Sequence, residues 1–258
     1  MVTRAPAIAV ALAALLAVGS APVSARTSPD GAEFCYDVSL TSRLDAPRDP
    51  SKISVQNFII DGKCRVVAVG PAEEVSSGEL APSSVGTASD VIGIVGASQA
   101  ATGPVSLAST SYRTNAGLRV FDCCGILLTE YWMENTWTST GSTGVITAWG
   151  AVDGASWHRE AGNTGGWSLD TASHQLGLVA GGLNQTFEKV RGSQGFNYQG
   201  VFDPTGTLFY NRLTLYLQGN RSGTFSCVFD YYLKKVPAGP LAWPAPQTIC
   251  GRGFYPYR

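Results

Sequence analysis

Phe225, Cys227, Phe229, Tyr231 and Leu233 alternate with Thr224, Ser226, Asp230, Tyr232 and Lys234. A period of two over so many residues specifies a strand with one dry and one wet face, and no helix repeats that way. Just upstream, Leu213, Leu215 and Leu217 alternate with Thr214, Tyr216 and Gln218, and Gly219-Asn220 separates the two runs. The pair reads as an antiparallel hairpin. A second hairpin is expected where Phe58-Ile59-Ile60 meets Lys63-Cys64-Arg65-Val66-Val67 across Asp61-Gly62, a dipeptide suited to a two-residue type I′ loop. Asp203-Pro204-Thr205-Gly206 has the proline and glycine placement of a β-turn.

Shorter strand candidates are Phe34 to Leu40, Val91 to Val95, Leu118 to Phe121, Ile126 to Trp137, Val145 to Trp149 and Gln185 to Val190. Val179 to Val190 is ambiguous, and windows with helical spacing of Ala, Leu, Glu and Lys are scarce. The chain has 258 residues, 44% hydrophobic and only 14% charged, which excludes disorder driven by charge repulsion. Many short strands punctuated by 30 Gly and by Ser, Thr and Asn predict an all-β fold. The expected architecture is an antiparallel β-sandwich or jelly-roll-like barrel with disulfides. Glu73 to Ala108 is small and bland, and reads either as a buried strand between long loops or as a linker. The N-terminal strands are too few to close a core alone, so a single β-rich domain over 26–258 is expected. Its last part, 236–258, holds Pro237, Pro240, Pro244, Pro246 and Pro256. That proline density predicts an irregular tail, excluded from any central strand and pinned to the body by Cys250.

Arg4, the apolar run Ala7 to Val18 and the small residues Val23-Ser24-Ala25 form the three parts of an export leader, with cleavage expected after Ala25. The apolar run is shorter than the ~20 residues a membrane helix needs, and no later segment fits one. The expected location is therefore extracytoplasmic, in an oxidising compartment. Six cysteines follow the leader: Cys35, Cys64, Cys123, Cys124, Cys227 and Cys250. They contain no Cys-x-x-Cys, and their even number points to disulfides in one of fifteen possible pairings. Adjacent Cys123 and Cys124 point to opposite faces of a strand and so reach different partners. Cys227 lies on the dry face of its run and is expected to be oxidised there.

The formal charge of −1 offers no basic field for nucleic acid, and two histidines make no histidine-rich metal site. No His-Glu-x-x-His, EF-hand loop, phosphate loop or Gly-x-Ser-x-Gly elbow occurs, so neither a metal nor another cofactor is expected. His158 and His174 are the available imidazole bases. The distribution of aromatics is more informative. Tyr131, Trp132, Trp137, Trp149, Trp157 and Trp167 crowd the middle of the chain. Indole and phenol rings either fill a core or, where exposed, stack on sugars. Glu130 and Glu134 flank Trp132 on one strand face, about 13 Å apart along an extended chain. Glycoside hydrolysis needs carboxyls roughly 5–9.5 Å apart, so a hydrolase would take one of these with Glu160 or Asp153. Asn184-Gln185-Thr186 and Asn220-Arg221-Ser222 are N-glycosylation sequons.

These features support an exported binding protein that recognises a glycan or cell-surface component through Trp and Tyr. The alternatives are a secreted polysaccharide hydrolase using Glu130, Glu134 or Glu160, and a secreted pore-forming toxin inserting Ser83 to Ser109.

Overall fold

The computed structural model describes residues 25–27, 33–61, 63–80, 92–100, 109–122, 125–140, 144–158, 166–199, 209–237 and 245–253. Cys123, Cys124, Glu160, the Asp203–Gly206 turn and most of the 1–25 leader lie outside these. So does much of the Ser83 to Ser109 segment.

The described chain is almost entirely strand: β1 (Ala25–Thr27), β2 (Glu33–Asp45), β3 (Lys52–Ile60), β4 (Val66–Ala68), β5 (Glu73–Ser76), β6 (Ile92–Ala100), β7 (Thr110–Phe121), β8 (Leu127–Ser139), β9 (Ile146–Trp157), β10 (Gly166–Gly181), β11 (Phe187–Gln199), β12 (Phe209–Asn220), β13 (Phe225–Pro237) and β14 (Ala245–Gly251). One sheet has the order β1-β2-β13-β12-β11-β10. The other runs β4-β3-β14-β7-β8-β9-β6, with β5 also paired to β3. Neighbouring strands are antiparallel throughout, for example β11 with β12 and β8 with β9. The two sheets pack face to face as a β-sandwich, as the alternation predicts.

Period-two patterning sets the register. Leu213, Leu215 and Leu217 sit opposite Tyr231, Phe229 and Cys227, and all six are buried between the sheets. Ala116, Leu118, Val120, Met133 and Trp137 meet them from the second sheet. Both disulfides join one sheet to the other. Cys227 on β13 bonds Cys250 on β14, and Cys35 on β2 bonds Cys64 in the β3–β4 loop. Cys227 is thus core-facing and oxidised as expected.

Two expectations are corrected. Ile60 pairs with Val66, so the β3–β4 loop has five residues, not two. The Asp61 amide donates to the Arg65 carbonyl, and its carboxylate accepts from the Lys63 and Arg65 amides and the Arg65 guanidinium. Those bonds hold the Asp61 carboxyl below its ordinary pKa, with Arg65 the main cause. Cys64, at φ 62°, is thereby turned toward Cys35. The 236–258 segment is not only an irregular tail: β14 lies between β3 and β7 as an internal strand. Its ladder to β3 begins at Gln247, so Pro246 is paired with β7 alone and interrupts nothing on the other side. Pro237 closes β13. Of the two readings of Glu73 to Ala108, the one with a strand near Val91 to Val95 holds: β6 pairs with β9, and β5 pairs with β3, both in the eight-stranded sheet.

Candidate functional site

Small side chains hollow out the outer face of the eight-stranded sheet. At one end of β6, β9, β8 and β7, Ala100, Ala148, Thr138 and Ser111 form one cross-strand row. Ser98, Gly150, Thr136 and Arg113 form the next. Rows of so little bulk leave an open trough of about 540 Å³, whose lining also includes Gln99, Tyr112, Trp137 and Trp149. The trough has the size of a small-molecule site. Its floor is hydroxyl-rich: Ser111 and Thr138 share a hydrogen bond at 3.0 Å, and the exposed Thr136 hydroxyl donates to the Gly150 carbonyl at 3.1 Å.

Arg113 closes one end. Its guanidinium pairs with Glu134, which also accepts from Asn115 Nδ2 at 3.2 Å. Beyond this pair the same face becomes closed. Trp132 lies between Gly117 of β7 and Gly154 of β9 and rests on the latter, where an added Cβ would stand 2.5 Å from the indole ring. Past Trp132, the Arg119 guanidinium donates to Glu130 at 2.6 Å, and the Ser156 hydroxyl donates to the other Glu130 oxygen at 3.1 Å. The face therefore grades from an open, hydroxylated trough to a buried ion pair.

The opposite face of β8 points between the sheets. There Tyr131 donates to the Asp153 carboxylate, which His174 Nε2 approaches at 2.9 Å. A register break in β10, between Asp170 and Gln175, turns His174 inward. The bulge is fixed by the Ser173 hydroxyl, which donates to the Asp170 carbonyl and accepts from the Gly195 amide. Burial raises the Asp153 pKa against the opposing bonds from Tyr131 and His174. Burial likewise raises the Tyr131 phenol, helped by the Asp153 charge. One strand further, Glu188 accepts from Asn135 Nδ2 at 2.6 Å and from the Gly219 amide at 2.9 Å. It is wholly buried, and burial pushes its pKa up to about 8.

The aromatic residues do not stand where an exposed sugar-stacking surface would put them. Tyr131, Trp132, Trp137, Trp149, Trp157 and Trp167 are all buried, the most accessible being Trp149 at 8%. The cause is alternation: Trp137, Trp149 and Trp157 occupy inward positions, while outward Trp132 is sunk onto Gly154. Glu130 and Glu134 do share a face, but each is held by its own arginine on β7. Asp153 projects from the other face and is not their partner. His158 is half-buried where β9 ends, and its backbone bridges Leu128 and Trp167. Among the described residues no cluster of His, Cys, Asp and Glu could hold a metal ion. No described helix is long and apolar enough to cross a membrane.

Sequence reasoning passed over Arg113, Arg119, Thr136 and Thr138. The signal was present: Arg113-x-Asn115-x-Gly117-x-Arg119 is the charge complement of Glu130-x-Trp132-x-Glu134 read antiparallel. No family model, curated protein or solved structure matches the chain.

Proposed function

We propose that this is an exported protein that binds a neutral, hydroxyl-rich ligand, a glycan of a cell surface or matrix, in the trough on the outer face of the eight-stranded sheet. The observation that carries the reading is the lining: hydroxyls of Ser98, Ser111, Thr136 and Thr138, the Gln99 amide, and an arginine already neutralised by Glu134. Such a surface offers paired donors and acceptors with no net charge, which suits sugar hydroxyls better than phosphates or carboxylates. Net gains of about 0.5–1.5 kcal/mol per neutral hydrogen bond make the expected affinity modest. Export is supported by the leader pattern and by two disulfides. The roles expected of the tryptophans pass to the trough, where Trp137 and Trp149 belong to the lining but are themselves buried.

The test is a glycan array probed with the protein and with Thr136→Phe. Thr136 is exposed, so the larger ring fills the trough without entering the core. Retention of a neutral glycan by the wild type and its loss in the variant, at unchanged melting temperature, is the expected result. Equal binding by both removes the trough from consideration. Release of reducing ends from the bound glycan, lost in Glu130→Gln, would replace the binding reading with hydrolysis.

A further inference from the structure

The two sequons sit on neighbouring turns at one end of the sandwich but in opposite states. Asn184 lies in the β10–β11 turn and is exposed, with φ 62°, a left-handed conformation that asparagine tolerates. Its backbone amide donates to Ile146 at the start of β9, and the Thr186 carbonyl accepts from the Arg221 amide. The turn is thus a fixed platform, while the Asn184 amide and the Thr186 hydroxyl face solvent. Asn220 is half-buried. Its Nδ2 donates to the Thr224 carbonyl at 3.3 Å and to the Thr224 hydroxyl at 3.1 Å. Its own carbonyl accepts from Trp137 Nε1 at 2.9 Å, and the Ser222 hydroxyl of the same sequon is bonded to Thr224 at 3.1 Å.

We infer that Asn184 is an N-glycan attachment site in a secretory pathway that glycosylates, and that Asn220 is not one in the folded protein. In the transfer, Asn184 Nδ2 forms a bond to C1 of the first sugar of a lipid-linked oligosaccharide. The bond from C1 to the pyrophosphoryl carrier breaks, the carrier leaves with the electron pair, and the amide loses one proton. Asn184 gives up that proton without breaking any of the backbone bonds that hold the turn. Asn220 Nδ2 is tied to both the carbonyl and the hydroxyl of Thr224, so a sugar on Nδ2 disturbs the bonds that close the β12–β13 turn. Chains modified at Asn220 before folding are therefore selected against during maturation, and those that mature carry it bare.

The inference rests on export and is tested on the full chain in a eukaryotic secretory host. Peptides from the luminal and secreted wild-type protein are mapped after enzymatic glycan release, which converts an occupied asparagine to aspartate. Conversion at Asn184 with unmodified Asn220 is expected. Asn184→Gln should abolish the gel shift that glycan release produces, and Asn220→Gln should keep it. A luminal, disulfide-bonded chain with bare Asn184 overturns the assignment, as does secreted protein carrying sugar on Asn220. A chain confined to the cytosol with reduced Cys227 and Cys250 overturns it together with export.

Discussion

The half of the interior beneath β2, β13 and β14 is apolar and covalently tied, whereas the half between β8, β9, β10 and β11 is tied by titratable side chains. In the first, Leu213, Leu215, Leu217 and Phe229 pack beside the Cys227–Cys250 bond. In the second, Tyr131, Asp153 and His174 link β8 and β9 to β10, and Asn135 and Glu188 link β8 to β11. The same two-layer construction is thus closed by burial and chain restriction on one side, and by polar bonds in a dry setting on the other. Burial of methyl groups does not respond to protons, so the pH dependence of stability should reside in the second half. Polar groups in such a setting also hold a single register, since each loses its partner if the sheets slide.

Cavity formation in the apolar half should have the largest effect. Leu215→Ala is expected to cost about 2–5 kcal/mol at every pH; a loss that varied strongly with pH in urea titrations would blur the division between the halves. Replacing Cys227 and Cys250 together by serine should cost about 3 kcal/mol, the restriction of a loop of this length in the unfolded chain. Guanidinium unfolding of oxidised and doubly substituted protein measures it, again with no pH trend.

Glu188 reverses the pattern. Its folded pKa of about 8 lies above the unfolded 4.5, so between those values the folded state holds a proton that the unfolded chain has lost. Stability therefore falls as pH rises through that window, by at most roughly 1.4 kcal/mol per unit. Glu188→Gln keeps an acceptor for Asn135 and Gly219 and carries no charge. It should flatten the slope and leave the variant the more stable at pH 8, as measured by thermal unfolding across pH. His174→Ala, at a partly exposed group, should cost about 1 kcal/mol. Asp153 would lose its link to β10 and retain the Tyr131 bond within the eight-stranded sheet. Faster amide exchange confined to β10 would locate the effect.

The apolar half was the legible one. Phe225 to Leu233 announce strand, face and oxidised cysteine together, because a dry face must alternate when the other is wetter. The second half resists reading, since both faces of β8 are buried from Leu127 to Asn135. Glu130, Trp132 and Glu134 look like a solvated face until Arg119 and Arg113, 11 and 21 residues upstream of their partners, are brought beside them by a ladder that the sequence does not specify. β10 has mixed exposure throughout and a bulge, so periodicity fails there. The trough is harder still: it is made by missing volume at Gly150 and Ala148, and small residues carry no positional signal. Counting prolines misjudged β14, because what matters is which edge each proline faces.

β14 also imposes an order of events. A nascent chain emerges with β3 and β7 first, and neither can acquire its shared neighbour until residues near 251 have been made. Until then the eight-stranded sheet exists as two pieces, each with an open edge able to capture another chain. The closing step joins segments nearly two hundred and more than one hundred residues apart, which makes it a slow, late one. Shortening the chain before Ala245 would leave those edges open permanently and take Cys250 away from Cys227. Loss of that one strand should therefore produce aggregation rather than a smaller sandwich.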